Sequence, residues 1–149
     1  TLALGSGTTK GVDADAADTV TEANLDAMVE FTRRFAEKTG AVIAITGAID
    51  LVSDAKTTYI IRNGRAEMSK ITGTGCQLSG VATAYAVANP QSKTVAVAAA
   101  VCLMGLAGEI GFAHLQPGEG NSSYRNRIID AIYNMDAAAL EKGARYEVR

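Results

Sequence analysis

The stretch with the clearest chemistry is Ile71-Thr72-Gly73-Thr74-Gly75-Cys76-Gln77-Leu78-Ser79. Two glycines stand one residue apart, a cysteine follows at once, and helix-compatible residues continue from there. Glycine tolerates positive φ and lets a ligand come close to the backbone. A glycine-rich turn that opens a helix aims free N–H groups outward, and the helix dipole adds positive charge at the same place. That is an anion site, and phosphate is its commonest guest. A cysteine at a helix start is biased toward thiolate, so the segment can set a polarisable or weakly basic group beside a phosphate. It is not a P-loop, and Leu78 stands where G-x-G-x-x-G needs its third glycine. The same residues also fit a tight turn capping a buried helix, with Cys76 an inert core thiol.

The elements that must hold this segment follow from composition. A chain of 149 residues is one domain or part of one. Hydrophobic residues make up 48% of it, with no Trp and three Phe, so Ala, Val, Ile and Leu must build the core. That suits helices packed on a sheet. A net charge of -2 without a basic cluster argues against nucleic acid or an anionic membrane surface as partner. Cys76 and Cys102 both lie in apolar, helix-like surroundings, so no disulfide framework is expected and a reducing cytoplasm fits. The amino end lacks a basic n-region, so no signal peptide is expected. The uncharged run from Thr94 to Gly108 falls short of the ~20 residues of a membrane span; it reads as a buried core helix.

In chain order, Asp13, Asp15 and Asp18 form an acidic lead-in rather than a metal loop, since no EF-hand pattern is completed. Thr19 and Glu22 suggest a capping box. Leu25, Met28, Val29, Thr32, Phe35 and Ala36 recur at helical spacing, predicting a helix over 21–38 with Gly40 as its C-cap. Ala41–Ile45 is a short apolar run of the kind that forms a buried parallel strand, with Val42–Ile45 expected at the sheet centre. It ends in Thr46-Gly47. Ligands gather at the carboxyl ends of such strands, so Thr46 is a candidate contact. Asp50–Ala55 reads as a brief strand or loop, and Thr57–Arg62 as a strand. Asn63-Gly64 is a preferred hairpin turn, with Arg65–Lys70 returning antiparallel.

Helices are predicted over 76–88, 93–114 and 123–136. Gly105, Gly108 and Gly111 would let another helix pack closely on the second. His114, the only histidine, ends that helix and suits its dipole; no second ligand at convincing spacing makes it a metal site. Asn121, Ser122 or Ser123 would cap the last helix, whose apolar face is Ile128, Ile129, Ile132 and Tyr133. Ala144–Arg149 alternates weakly, as an added edge strand would.

Strand, Thr-Gly, hairpin, Gly-x-Gly-Cys on a helix and two further helices: this order resembles the carboxyl half of the ribokinase-like kinases. Within them the chain resembles the hydroxyethylthiazole kinase family, on Thr72-Gly73-Thr74-Gly75-Cys76-Gln77-Leu78-Ser79. Most ribokinase relatives carry Asp where Cys76 stands, and the cysteine is characteristic of the thiazole kinases. Ala44-Ile45-Thr46-Gly47, Thr9-Lys10-Gly11-Val12-Asp13 and Asp130-Ala131-Ile132-Tyr133 also match family segments. The resemblance covers nearly the whole chain. It implies an α/β fold, a three-layer α/β/α sandwich, of which residues 1–149 would be a partial single domain. The family chain is much longer, and its amino-terminal half, with most of the thiazole pocket, is missing before Thr1. Pro117–Ser123 is longer and more polar than the usual family loop.

The resemblance also implies ATP-dependent phosphorylation of the primary alcohol of 4-methyl-5-(2-hydroxyethyl)thiazole, with ATP and Mg2+ and a site at the subunit boundary of a homotrimer. Thr46 would touch the ATP phosphates. Backbone N–H groups from Gly73, Thr74, Gly75 and Cys76 would receive the transferring phosphoryl group, and backbone shape is expected to matter at both 73 and 75. Gly73 would admit the alcohol, and Cys76 would sit beside it as weak base or orienting group. No metal ligand set is apparent in this chain. Two other readings fit the same residues: a vitamin kinase of the hydroxymethylpyrimidine type, and a non-catalytic nucleotide-binding half-module that needs a partner chain. The apolar Lys93–Leu115 segment has more apolar surface than half a domain covers, so it is expected to pack on the rest of the enzyme or a neighbouring subunit.

Overall fold

The structure, a computed structural model, describes residues 19–149. The acidic lead-in and the Thr9–Asp13 segment lie outside the described residues. Ten elements follow: α1 (Leu25–Thr39), β1 (Ile43–Ile45), β2 (Asp50–Ser53), β3 (Thr58–Ile61), a 3-10 helix (Ala66–Lys70), α2 (Thr74–Ala88), α3 (Lys93–Ala113), α4 (Asn121–Asn134), α5 (Ala137–Gly143) and β4 (Tyr146–Val148).

The sheet is antiparallel throughout, in the order β1-β2-β3-β4. β1 is therefore an edge strand among the described residues, not the central parallel strand its apolar run suggested. Only Thr46–Ile49 separate it from β2, and a parallel crossover needs a dozen residues or more. Nor does Asn63-Gly64 make a hairpin. The chain goes into the 3-10 helix there, and β3 pairs instead with β4 from the carboxyl end. The expected edge strand at the tail is thus present, closed by reciprocal bonds between Thr58 and Arg149 at 2.8 and 2.9 Å.

Period-two alternation gives the sheet two buried faces. Leu51 and Ile60 turn toward α1, meeting Leu25 and Val29. Val52 and Ile61 turn the other way, onto Ala98, Val101 and Cys102 of α3. Helix, sheet and helix make three layers, and α2 and α4 flank α3. α1 begins later than predicted. Glu22 pairs with Arg62 at 2.9 Å instead of closing a capping box, and Asn24 takes the N-cap position. Gly40 ends the helix at φ 67°, as expected of a left-handed cap. On α4 the buried face is Tyr124, Ile128 and Ala131; Ile129 and Tyr133, read as apolar face, are exposed.

α3 is the one described helix long and apolar enough to cross a membrane, yet 67% of its apolar window is buried in the fold. Sheet, α2, α4 and the 3-10 helix cover most of it within this chain. The uncovered apolar helix is α2, which has no buried residue; its Val87 is 74% exposed. Each glycine of the α3 series meets a different neighbour. A Cβ on Gly105 would lie 2.6 Å from the Asn63 carbonyl carbon. One on Gly108 would overlap the Met68 side chain, and one on Gly111 would press on the α4 backbone at Ile128. Only the last admits an α-helix.

A paired substitution tests this packing. Gly105→Ala forces Cβ into backbone and is expected to cost about 1–3 kcal/mol. Gly80→Ala, on α2 with nothing within 4 Å, is expected to gain up to about 1 kcal/mol from helix propensity. Urea denaturation of both variants measures the contrast; equal effects would contradict the packing described.

Candidate functional site

One cavity of about 570 Å³ lies where the β1–β2 turn, the Asn63–Ser69 stretch, the start of α2 and the middle of α3 converge. Thr46, Gly47, Thr74 and Gly75 are on its wall, so two segments 28 residues apart that were singled out from sequence face one space. Asp50, Asn63, Gly64 and Arg65 join them. Val101, Met104 and Gly105 of α3 form an apolar wall.

The α2 start is built as its glycines suggest. Gly73 is the N-cap at φ 95°, a conformation that β-carbons oppose, and no side chain caps the helix. Gln77 N–H bonds back to Gly73 O at 2.9 Å. By helix geometry the N–H groups of Gly73, Thr74, Gly75 and Cys76 have no acceptor within the helix. The positive φ belongs to Gly73 alone: Gly75 is in ordinary helical backbone, with nothing within 4 Å of a Cβ built on it. Backbone shape is thus the constraint at 73, and open space the constraint at 75. Thr74 and Gly75 line the cavity, whereas Gly73 and Cys76 are not among its lining residues. Cys76 is exposed, which sets aside the buried-thiol reading within this chain. The buried thiol is Cys102, pushed up to about 11 by burial, with the Asp50 charge adding to it.

Asn63 and Gly64 form the cavity floor, held by the carboxylate that interrupts the apolar helix. Glu109 Oε1 accepts from Gly64 N–H at 2.6 Å and from Asn63 Nδ2 at 3.3 Å. The Arg145 guanidinium meets both Glu109 oxygens, at 2.7 and 2.9 Å. Asn63 also donates to Gly143 O at 3.0 Å and accepts from Arg145 N–H at 2.7 Å. Burial opposes the Glu109 charge, but Arg145 and the Gly64 N–H outweigh it and hold the carboxyl below its ordinary range. Arg65 stacks 4.0 Å over the Phe112 ring and bonds to Glu67 through two nitrogens at 3.1 Å.

Sequence reading missed Asp50. It opens β2, and its Oδ1 accepts from Gly47 N–H at 2.8 Å, closing the turn that carries Thr46. Burial raises its carboxyl to about 6, against the lowering effect of that bond. The available signal was a lone carboxylate four residues after Thr46, at the head of an apolar run. Among the described residues no three His, Cys, Asp or Glu side chains come together as a metal site. Asp50 is the only carboxylate on the cavity wall; Mg2+ in phosphate sites is commonly held by one or two carboxylates together with substrate phosphates.

A sequence profile of the hydroxyethylthiazole kinase family matches residues 1–138. The chain belongs to that family. It is 53% identical to the hydroxyethylthiazole kinase of Clostridium acetobutylicum over 146 residues, covering 98% of this chain and 54% of that protein. It is 38% identical to hydroxyethylthiazole kinase 2 of Clostridium botulinum, over 91% of this chain and 49% of that one. With the Cereibacter sphaeroides hydroxyethylthiazole kinase it shares 37% identity, over 98% and 52%. The chain thus spans about half the length of the curated relatives it matches. A solved structure titled hydroxyethylthiazole kinase protein, from Pyrococcus horikoshii, superposes with a TM-score of 0.73 at 24% identity, covering 86% of this chain and 48% of that one. The fold is accordingly the ribokinase-like α/β arrangement expected of the family.

The raised Asp50 carboxyl has a consequence for stability. Its folded value is about 6 and its ordinary value 3.8, so the folded state holds the proton more tightly. Stability is therefore fullest below the unfolded value and falls as pH rises through that window. Asp50→Asn is expected to remove this dependence and to stabilise the chain at neutral pH, by roughly 1–2 kcal/mol after allowing for partial exposure. Urea denaturation between about pH 4 and about pH 7 checks it; a wild-type stability that rises across the window, in parallel with the Asn variant, would contradict the assignment.

Proposed function

We propose that this chain supplies the phosphoryl-receiving half of a hydroxyethylthiazole kinase, which transfers phosphate from ATP to the primary alcohol of the thiazole. The observation that carries the reading is the meeting of Thr46 with the open α2 N-terminus on one cavity. Family membership and the names of the relatives support the substrate class. Phosphoryl transfer needs positioning and charge stabilisation more than covalent chemistry, and that is what these residues can provide.

In this reading Thr46 contacts the ATP phosphates through its hydroxyl. The N–H groups from Gly73 to Cys76 receive the charge that builds on the transferring phosphoryl group. Gly73 admits the alcohol, and Cys76 stands beside it on exposed, accessible backbone. A thiolate matches alcohol deprotonation poorly, so orientation is the role assigned to Cys76. Mg2+ would enter with the nucleotide and neutralise phosphate charge; its protein ligands would come mainly from the part of the family chain not represented here. That part would also meet the two surfaces left uncovered: the outer edge of β1 and the apolar face of α2. A homotrimer with the site at a subunit boundary and a cytoplasmic location complete the proposal.

Three variants of the complete enzyme test it. Gly75→Val fills open space on the cavity wall, blocks close approach and is expected to lower kcat by roughly 10²-fold or more while the protein melts normally. Cys76→Ser keeps the N–H donors and is expected to lose about tenfold. Cys76→Asp is expected to stay active, since relatives of the superfamily use that group. Normal turnover by Gly75→Val, with an unfolded Cys76→Asp, would overturn the phosphate-site assignment.

A further inference from the structure

The β1–β2 turn brings Thr46 to the cavity, and a turn of this length has no rigidity of its own. Thr46, Gly47 and Ala48 are all exposed, so no packing fixes their backbone. Two anchors remain. Ile49 is buried against the α1 side of the sheet. Asp50, at the head of β2, reaches back across the turn to Gly47 N–H. β2, like β3, is an inner strand, paired on both sides and with both its faces covered. A bond from its first residue therefore ties an exposed connection to an inner strand of the sheet.

We infer that Asp50 is a positioning residue for nucleotide binding: it holds the Thr46–Gly47 backbone in the conformation that presents Thr46 to the phosphates. The inference rests on the phosphate-site reading above. It assigns Asp50 no contact with the reacting atoms, and it separates the acceptor oxygen, which does the holding, from the negative charge. A carboxylate facing polyphosphate is electrostatically unhelpful. Burial already lifts this carboxyl to about 6, and a strongly perturbed carboxyl on a cavity wall marks a candidate functional group. The neighbouring titratable groups do not supply an alternative role. Cys102, on α3, is buried and stays a thiol with its value near 11. Arg65, on the cavity wall, is engaged with Glu67 and Phe112. The α2 residues on the wall, Thr74, Gly75 and Leu78, carry no charge.

Steady-state kinetics of the complete enzyme with MgATP and the thiazole alcohol test this. Asp50→Ala removes the acceptor and is expected to raise KM for ATP about tenfold, leaving kcat and KM for the alcohol within about threefold. Asp50→Asn keeps an oxygen able to accept from Gly47 and is expected to stay within about threefold of wild type in all three constants. A loss of folding would depress activity toward both substrates, so the ATP-selective change is the signature. Thermal melts are measured alongside, and Asp50→Leu, which fills the site without an acceptor, is read in place of the alanine variant if that one melts early. Unchanged KM for ATP in Asp50→Ala, or an Asn variant as impaired as the Ala variant, would overturn the inference. Gly75→Val serves as the control: if it turns over normally, the phosphate-site reading falls and this inference with it. If Gly75→Val is impaired while Asp50→Ala behaves as wild type, the inference alone falls.

Discussion

The structure depends on one close approach, that of the Asn63-Gly64 backbone to α3 at Gly105. No residue with a Cβ fits at 105 without displacing that backbone. The approach buries polar groups in an apolar region, and each must find a partner there. Glu109, one turn further along α3, satisfies Gly64 N–H and Asn63 Nδ2 and is itself matched by Arg145. Arg145 brings the chain end with it: its second nitrogen donates to Arg62 O at 2.8 Å, and β4 begins at the next residue. A single carboxylate in a helix whose only other charged residue is Lys93 thus ties together α3, the end of β3 and the last strand. Truncating Glu109 would leave the partly buried Gly64 N–H without its acceptor, the costly way to lose such a bond.

That knot also decides where the cavity lies. Asn63 and Gly64 are its floor, and the chain leaves them through Arg65 and the 3-10 helix to reach Gly73. The distance from sheet to α2 start is set by this short path, and Met68, packed beside Gly108, fixes its course. On the opposite side the β1–β2 turn approaches under the control of β2. The β1–β2 turn and the α2 start therefore face one cavity because both are referred to the same two bodies, the sheet and α3. In the proposed reading the free N–H groups at the α2 start are in place before any ligand arrives, the arrangement that stabilises developing charge best, while Gly47 N–H is held by Asp50.

Much of this was legible locally. Helical spacing from Leu25 to Ala36 located α1, Gly40 marked its end, and the uncharged run after Thr94 announced a buried α3. Gly73 to Cys76 read correctly as a helix start. What failed were inferences that needed partners. An apolar run such as Ala41–Ile45 does not state the direction of its neighbour; only the short Thr46–Ile49 connection does. Asn63-Gly64 has strong turn chemistry, yet its side chain was claimed by Gly143, Arg145 and Glu109, far along the chain. Glu22 was drawn from its capping box by Arg62 in the same way. On α4 the spacing Tyr124, Ile128, Ala131 fits a helical stripe as well as the one chosen, and the edge of Phe112 against Tyr124 settled which side faced in. α5 was overlooked although Asp136 was there to cap it, accepting from Ala139 N–H at 2.7 Å. Asp50 carried no motif at all, because its importance lies in which cavity it borders.

The central claim is that Thr46-Gly47 and the first residues of α2 act together on one phosphate group. The most direct measurement is an amide chemical-shift titration of the complete enzyme, 15N-labelled, with MgATP. The account requires the N–H signals of Thr46, Gly47, Gly73, Thr74, Gly75 and Cys76 to shift together, along one saturation curve. Saturable shifts elsewhere, with these six amides unmoved, would contradict it.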